Sequence, residues 1–383
     1  MKIPLAKPEV VEDDIAAVTA VLRSGRLSQG PAMHEFERAL AAYLDMPHSV
    51  VVNSGTSALQ LALRALDVKE KDEVILPSFS FMAITNAILN EKAVPVFVDI
   101  DPATLNLDPS RLEAALSRKT RAIVLVHSFG IPAPAAEIVA FARRHSLAVI
   151  EDACEALGAG IDGSKAGTFG DIATLAFYPN KVISTGEGGA LITQSAALAA
   201  RLRSLRNQGR VPGEDWFQHH EPGFSYRLSD LHCALGLQQL SRLEHTLRHR
   251  ETLACSYASQ LNANEHVSSF GAGPGNRRIS WFTYPVLLNG RFSRQDRDEV
   301  WAELKRQGIE AGRYFAPSHL QPALRQRDFR CGDLTHTIVL SARLLCLPIF
   351  NGLTEEQICL VCRSVEEALS ARSALIAIHA RAS

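Results

Sequence analysis

The sequence predicts an α/β protein: a large domain built on a mostly parallel sheet with helices on both faces, followed by a smaller α+β C-terminal domain. Between residues 49 and 193, short β-rich runs at 49–53, 73–76, 94–98, 121–126, 147–151, 172–177 and 190–193 alternate with longer helical patterns, which reads as repeated βαβ units. The runs are apolar nearly throughout and do not alternate with polar residues, as expected of strands covered on both faces. At roughly 150 residues per domain, a chain of 383 residues has room for two or three domains.

Ahead of the sheet region, residues 11–44 carry two helical patterns. Between them lies the breaker stretch Ser24-Gly25-Arg26-Leu27-Ser28-Gln29-Gly30-Pro31, read as an ordered loop. Behind it, one long helical segment over about 229–261 places Leu228, Leu231, Leu235, Leu240 and Leu243 on apolar positions and is expected to connect the two domains. A Gly/Pro-rich linker at 271–276, a strand-like run at 281–288, a helix from about Ser293 and a last helix from Thr354 make up the smaller domain. The expected division is 1–250 for the large domain with its N-terminal helices and 251–383 for the small one. In such sheets, ligands bind at the carboxyl ends of the strands.

Composition narrows the partners. With 40 basic against 41 acidic residues the net charge is −1, so bulk electrostatics implies neither nucleic acid nor an acidic membrane. At 46% hydrophobic and 21% charged residues the chain is that of a folded protein, and no apolar run approaches the ~18 residues a membrane-spanning helix needs. Seven scattered cysteines, with no charged-then-apolar leader before them, point to a reducing cytoplasm. The single C-x-x-C, Cys359 to Cys362, has no second pair or histidine cluster beside it and is expected to be two buried helix cysteines, with no metal. The basic cluster at 242–250 reads as a solvated helix face.

The chemistry centres on Lys181, in Tyr178-Pro179-Asn180-Lys181, after an apolar run and before Gly186-Glu187-Gly188-Gly189. A lysine desolvated at a strand end can lose its proton and attack a carbonyl, although an exposed loop lysine is the ordinary alternative. Asp152 closes the run before it. A carboxylate there can pair with a protonated pyridine nitrogen, or can cap a helix together with Glu155. Gly55, Thr56 and Ser57 follow the first run, where a helix N-terminus offers an anion site or simply an N-cap. Phe79 and Phe81 follow the second; one of them can offer a face to a planar group, or both can be core.

Four strand ends thus supply a phosphate cradle, an aromatic face, a carboxylate and a lysine, in that order. At this point the sequence resembles the fold-type I, aspartate aminotransferase-like pyridoxal-phosphate enzymes, and more closely the DegT/DnrJ/EryC1/StrS family of sugar aminotransferases. The resemblance runs nearly end to end. It is most specific in Glu73-Val74-Ile75-Leu76-Pro77-Ser78-Phe79-Ser80-Phe81, in Pro95-Val96-Phe97-Val98-Asp99-Ile100-Asp101, in Gly167-Thr168-Phe169-Gly170-Asp171 and around Lys181.

The resemblance implies pyridoxal 5'-phosphate as cofactor, with pyridoxamine 5'-phosphate as its amino-carrying form. Lys181 would bond the cofactor, Asp152 would pair with its ring nitrogen, and Glu155 would lie beside its 3-hydroxyl. Gly55, Thr56, Ser57 and Ser225 would hold the phosphate and Phe81 would stack on the ring. Arg26, His127, Arg227, Tyr314 and His319, together with the 210–216 stretch, fall at positions that flank the substrate in relatives. For His127 and His319, an ordinary structural histidine is an equal alternative. The implied partners are an amino donor, usually glutamate, a keto group on a nucleotide-linked sugar, and a second copy of the chain sharing the active site.

Two positions depart from the family pattern. Relatives carry Ser five residues before the lysine and Asn in Gly-x-Asn-Tyr-Arg, whereas Ala176 and Ser225 stand here. Weaker phosphate binding is therefore expected. Other readings are an aminotransferase acting on a keto cyclitol or other non-nucleotide ketone, and a non-catalytic binding or regulatory protein of the same fold. A sugar dehydratase is disfavoured, because those relatives replace the lysine by histidine.

Overall fold

The computed structural model describes residues 2–382, apart from 212, 214, 216 and 272–275. The chain begins with helices α1 (Glu12–Ser24) and α2 (Pro31–Leu44), the latter entered through Pro31 at its first position. It then alternates through β1 (His48–Val52), α3 (Gly55–Ala65), β2 (Glu73–Pro77), α4 (Met82–Asn90), β3 (Val94–Val98), the short α5 (Leu112–Ala115), β4 (Thr120–Val126), α6 (Ala135–Arg144) and β5 (Ala148–Asp152). A small hairpin of β6 (Gly160–Ile161) and β7 (Ser164–Lys165) precedes β8 (Ile172–Ala176), β9 (Gly189–Thr193) and α7 (Ala196–Arg206).

These strands assemble in the order β1-β9-β8-β5-β4-β2-β3, and a two-residue strand from much later in the chain adds at the β3 edge. From β8 to that edge every pairing is parallel. Only β9 runs backward, between β1 and β8. The carboxyl ends of β1, β2, β4, β5 and β8 therefore lie along one edge of the sheet, together with the amino end of β9.

Successive strand residues serve opposite faces. Val74 and Leu76 pack with Leu61, Ile84 and Leu202 on one side, while Ile75 packs with Ile138 and Phe141 of α6 on the other. Toward β9, Val51, Leu175 and Ile192 meet Phe36 and Leu40 of α2. Complete burial of a side chain of this size contributes about 1.5–3 kcal/mol, and both faces of the sheet are filled this way.

The edge strand β1 would leave backbone groups unpaired, and the flanking helices supply their partners. Val51 N–H donates to Glu37 Oε1 at 3.0 Å, and Arg206 Nη1 donates to the Val51 carbonyl at 2.8 Å and to Glu37 Oε1 at 2.6 Å. Both charged side chains are more than nine-tenths buried. They seal the edge against pairing with another strand.

The remaining helices are α8 (Asp230–Ser241), α9 (Leu243–Leu261), α10 (Arg294–Arg306), α11 (Thr335–Arg343) and α12 (Glu355–Ala382). They accompany β10 (Val267–Ser269), β11 (Arg277–Arg278), β12 (Tyr284–Leu288), β13 (Arg330–Cys331) and β14 (Leu344–Leu347). Strands β10, β12 and β14 form a second, antiparallel sheet whose core includes Tyr257, Leu304 and Ile358 from α9, α10 and α12.

Several expectations shift. The single helix over 229–261 is two helices that break at Arg242, whose guanidinium turns to Asp14 on α1. The strand over 281–288 begins only at Tyr284, because Trp281 adopts φ +50°. The residue-250 division falls inside α9, and β13, from the later segment, pairs with β3 at the edge of the large sheet. Cys359 is exposed, and only Cys362 of that pair is buried. Among the described residues no helix is long and apolar enough to cross a membrane.

Replacing Glu37 by Ala leaves Arg206 buried without its carboxylate and β1 without an acceptor. A loss of about 3–5 kcal/mol in denaturant unfolding is expected; an unchanged midpoint would remove Glu37 from the edge seal.

Candidate active site

The strand ends enclose a cavity of ≈ 370 Å³. Gly55 and Thr56 line it from the start of α3, Phe81 from the end of β2, Val126 from β4, Asp152, Cys154 and Glu155 from β5, and Ala176 and Lys181 from β8. Tyr314, Phe315 and Phe282 close it from the later part of the chain.

Each side chain is set by local chemistry. Ser54 caps α3 by accepting Ser57 N–H at 3.0 Å, which buries Ser57 in the cap and leaves Thr56 exposed at the cavity. The first amides of a helix have no partner within it, so this end suits an anion. Phe79 is wholly buried, whereas Phe81 is 65% exposed at the rim, which decides which of the two offers a face. No helix follows Asp152, so it is not a helix cap. Its Oδ1 accepts Cys154 N–H at 3.0 Å and holds the chain in a turn.

Lys181 lies in a loop closed by Phe177 N–H to the Gly188 carbonyl at 2.9 Å. Tyr178-Pro179-Asn180-Lys181 is a β-turn, with Lys181 N–H on the Tyr178 carbonyl and proline at its second position, where that residue's fixed φ is favoured. The Lys181 Nζ stands 3.5 Å from Glu155 Oε1 and 4.2 Å from the centre of the Phe282 ring. With 14% and 11% of their side chains exposed, Lys181 and Glu155 are too enclosed to count as an ordinary surface pair. Burial pushes the Glu155 carboxyl above its ordinary range, against the pull of the Lys181 ammonium and of Phe129 N–H, which it accepts at 2.9 Å. Burial and the Asp152 carboxylate likewise drive the Cys154 thiol far up, so it stays protonated. Asn180 Oδ1, also at the cavity, is buried without a partner.

Glycine is required where β9 begins. A Cβ on Gly189 would meet the Ser54 carbonyl at 2.6 Å, and one on Gly55 would meet the Ala176 methyl at 2.7 Å. The amino end of α3 therefore sits directly on the ends of β8 and β9.

Other expected residues lie elsewhere. His127 is wholly buried behind the sheet edge. Its Nδ1 accepts Ala133 N–H at 2.9 Å, so Nε2 carries the hydrogen and donates to Glu151 Oε1 at 2.8 Å. Glu151 in turn accepts the amides of Gly167, Phe169 and Gly170, which makes this a structural knot. His319 pairs through Nδ1 with Ser78 Oγ at 2.6 Å and does not line the cavity; burial lowers its pKa. Arg227 bonds Asn207 Oδ1 at 3.0 Å and Ser225 Oγ at 2.7 Å, apart from the cavity lining. Arg26 is exposed, in the loop before α2. Of the 210–216 stretch, Pro212, Glu214 and Trp216 lie outside the described residues. Phe282 escaped the sequence reading, because its neighbourhood looks like plain strand.

The sequence profile of the DegT/DnrJ/EryC1/StrS aminotransferase family matches residues 8–366. The chain belongs to this family. It is 39% identical over 344 residues to GDP-perosamine synthase of Caulobacter vibrioides, covering 89% of this chain and 91% of that one. Among solved structures, Helicobacter pylori PseC, an aminotransferase involved in the biosynthesis of pseudoaminic acid, superposes with a TM-score of 0.92 at 27% identity. The match covers 97% of this chain and all of PseC, at 100%. DesV of S. venezuelae, solved in complex with a ketimine intermediate, gives 0.86 at 35% identity over 92% of this chain and 93% of its own. The protein is thus a pyridoxal-phosphate-dependent aminotransferase with the family's α/β fold, in a family that includes sugar aminotransferases.

The cysteines give a direct check on the burial pattern. Burial raises the thiols of Cys233, Cys346 and Cys362, as it does Cys154. Because the thiolate is the reacting species, iodoacetamide at pH 8 is expected to label exposed Cys255, Cys331 and Cys359 in the folded protein and to spare the other four. Rapid labelling of Cys154, read by peptide mass spectrometry, would contradict the enclosed cavity.

Proposed function

We propose that the protein moves an amino group from an amino acid, glutamate by family resemblance, to a keto group on a nucleotide-linked sugar, giving an amino sugar. The observation that carries this reading is the enclosed Lys181 amine, facing Glu155 in a cavity that also holds Asp152 and the amino end of α3. The name of the GDP-perosamine synthase relative supports a nucleotide-linked acceptor.

The lining fits pyridoxal phosphate in three ways. A helix end suits its phosphate, a carboxylate its pyridinium nitrogen, and an exposed aromatic face its ring. The unpartnered, buried Asn180 Oδ1 is a further polar atom at this cavity that a ligand donor would satisfy. When bound, the cofactor supplies an electron-withdrawing ring that can carry the transferred nitrogen.

The chain's own residues do the rest. Gly55 and Thr56 would hold the phosphate and Phe81 would cover the ring, whereas Ser57, expected beside them, is taken up in the α3 cap with Ser54. Asp152 would keep the ring nitrogen protonated and Glu155 would lie beside the 3-hydroxyl. Lys181, as a free amine, takes the proton from the donor Cα and returns it on the other side of the transfer, acting as base and then as acid. The aromatic wall of Tyr314, Phe315 and Phe282 keeps water from the reacting atoms.

Ser225 and Arg227 stand with Asn207 away from this cavity. We assign them to the active site of a second copy in a homodimer, where Ser225 completes the phosphate site across the interface. Arg26, exposed in the loop before α2, is assigned to the same shared surface.

Adding pyridoxal phosphate to the purified protein is expected to give a visible absorption band that glutamate bleaches, with the amine then passing to a nucleotide-linked keto sugar, followed by mass spectrometry. Lys181→Ala should abolish both band and transfer. Full transfer by that variant would overturn the assignment. Ala176→Ser restores one hydroxyl beside the start of α3. It is expected to tighten the cofactor Kd by about tenfold, the effect of one charge-assisted hydrogen bond near 1.5 kcal/mol, measured by equilibrium titration.

A further inference from the structure

Phe282 reaches Lys181 through an unusual piece of backbone. Trp281 at φ +50° and Phe129 at φ +59° are both left-handed, a region that side chains other than glycine rarely occupy. They face each other across a two-rung bridge, Ser280 N–H to the Gly130 carbonyl and Phe282 N–H to the Phe129 carbonyl, each at 3.2 Å.

The bridge is tied down on both sides. Arg250, itself buried, donates to the Trp281 carbonyl at 2.9 Å, and the Trp281 indole donates to Glu251 Oε2 at 2.6 Å. On the other side Phe129 N–H donates to Glu155 Oε2 at 2.9 Å, and Ser280 Oγ donates to the Glu155 carbonyl at 3.0 Å. One connected network therefore fixes both groups that touch the Lys181 Nζ, the Glu155 carboxyl at 3.5 Å and the Phe282 ring at 4.2 Å. Strained backbone persists only where its surroundings impose it, and here what it delivers is an aromatic face to one amine.

We propose that Phe282 is a further residue of the lysine machinery. In the cofactor-free enzyme its ring and Glu155 hold the Lys181 ammonium between them, with Trp281 and Phe129 as positioning residues. The inference rests on reading Lys181 as the reactive amine. An aromatic face attracts an ammonium and not a neutral amine, so the ring and the carboxylate together oppose attack by the Nζ until a ligand enters the cavity. Asp152, Cys154, Glu187, Tyr178 and Tyr314 also line the cavity, and Glu155 is the carboxylate that pairs with the Nζ, at 3.5 Å.

The test is amine labelling of the cofactor-free protein with trinitrobenzenesulfonate across neutral to alkaline pH, with the Lys181 peptide quantified by mass spectrometry. Phe282→Leu is expected to raise the Lys181 rate about 2- to 30-fold near neutral pH, the range of a cation–π contact, and to converge with wild type in strong alkali, where every lysine amine is neutral. Phe282→Tyr keeps the ring face and should label like wild type.

An unchanged rate in Phe282→Leu would overturn the proposal, as would an increase of the same size at every pH, which signals mere opening of the cavity. Should Phe282→Leu fail to fold, Glu155→Gln decides, since it removes the other half of the clasp and must also speed labelling at neutral pH. Labelling is read at Lys181 without cofactor, so its outcome is separate from the Lys181→Ala spectrum that tests the function.

Discussion

The site depends on one antiparallel strand in an otherwise parallel run. Because β9 runs backward between β1 and β8, its first residue, Gly189, pairs with Val52 on one side and Ala176 on the other. That pairing draws the start of α3, which follows β1, onto the end of β8, five residues before Lys181. Gly55 and Gly189 are glycines because backbone and methyl groups occupy the space a side chain would need. A helix N-terminus and a lysine more than a hundred residues apart in sequence are thereby set on one cavity by the sheet itself, with loop flexibility removed from the problem.

The cavity then has to hold charge in apolar surroundings. Asp152, Glu155 and Lys181 line it together with Phe81, Phe282, Tyr314 and Phe315. For Glu155 burial outweighs the nearby ammonium, and its carboxyl is raised. For Cys154 burial and the neighbouring carboxylate act together, with the ammonium the weaker influence, and the thiol stays neutral. A protonated cysteine is chemically quiet, which leaves the Lys181 nitrogen as the candidate nucleophile of this cavity.

Much of this was legible in the sequence. The seven β-rich runs of the first half fall within a residue or so of observed strands, because strands buried on both faces are written as uninterrupted apolar residues. Gly55, Thr56, Phe81, Asp152, Glu155, Lys181 and Tyr314 come together as the strand-end rule and the family resemblance implied. His127 and His319 show where such reading stops. Both follow strand ends or lie near them, but whether an imidazole points into the cleft or back under it is settled by partners such as Glu151 and Ser78 that no local pattern reveals. Short strands such as β10 and β13 also escaped, since two or three residues carry too little periodicity to distinguish them from loop.

Phe282 is the instructive miss. Its run of apolar and aromatic residues is strand-like by composition, and Tyr284 to Leu288 do form β12. What turns Phe282 toward Lys181 is the left-handed Trp281, held by Arg250 and Glu251 from α9 and by the bridge to Phe129. A bulky residue has no intrinsic preference for that conformation, so nothing in the local sequence announces it; the long-range partners impose it. The same network grips Glu155 through Phe129 N–H and Ser280 Oγ. Helix α9 also packs into the core of the second sheet, through Tyr257 and Leu253. The small sheet is thereby joined, through α9 and Trp281, to the ring that faces the Lys181 Nζ.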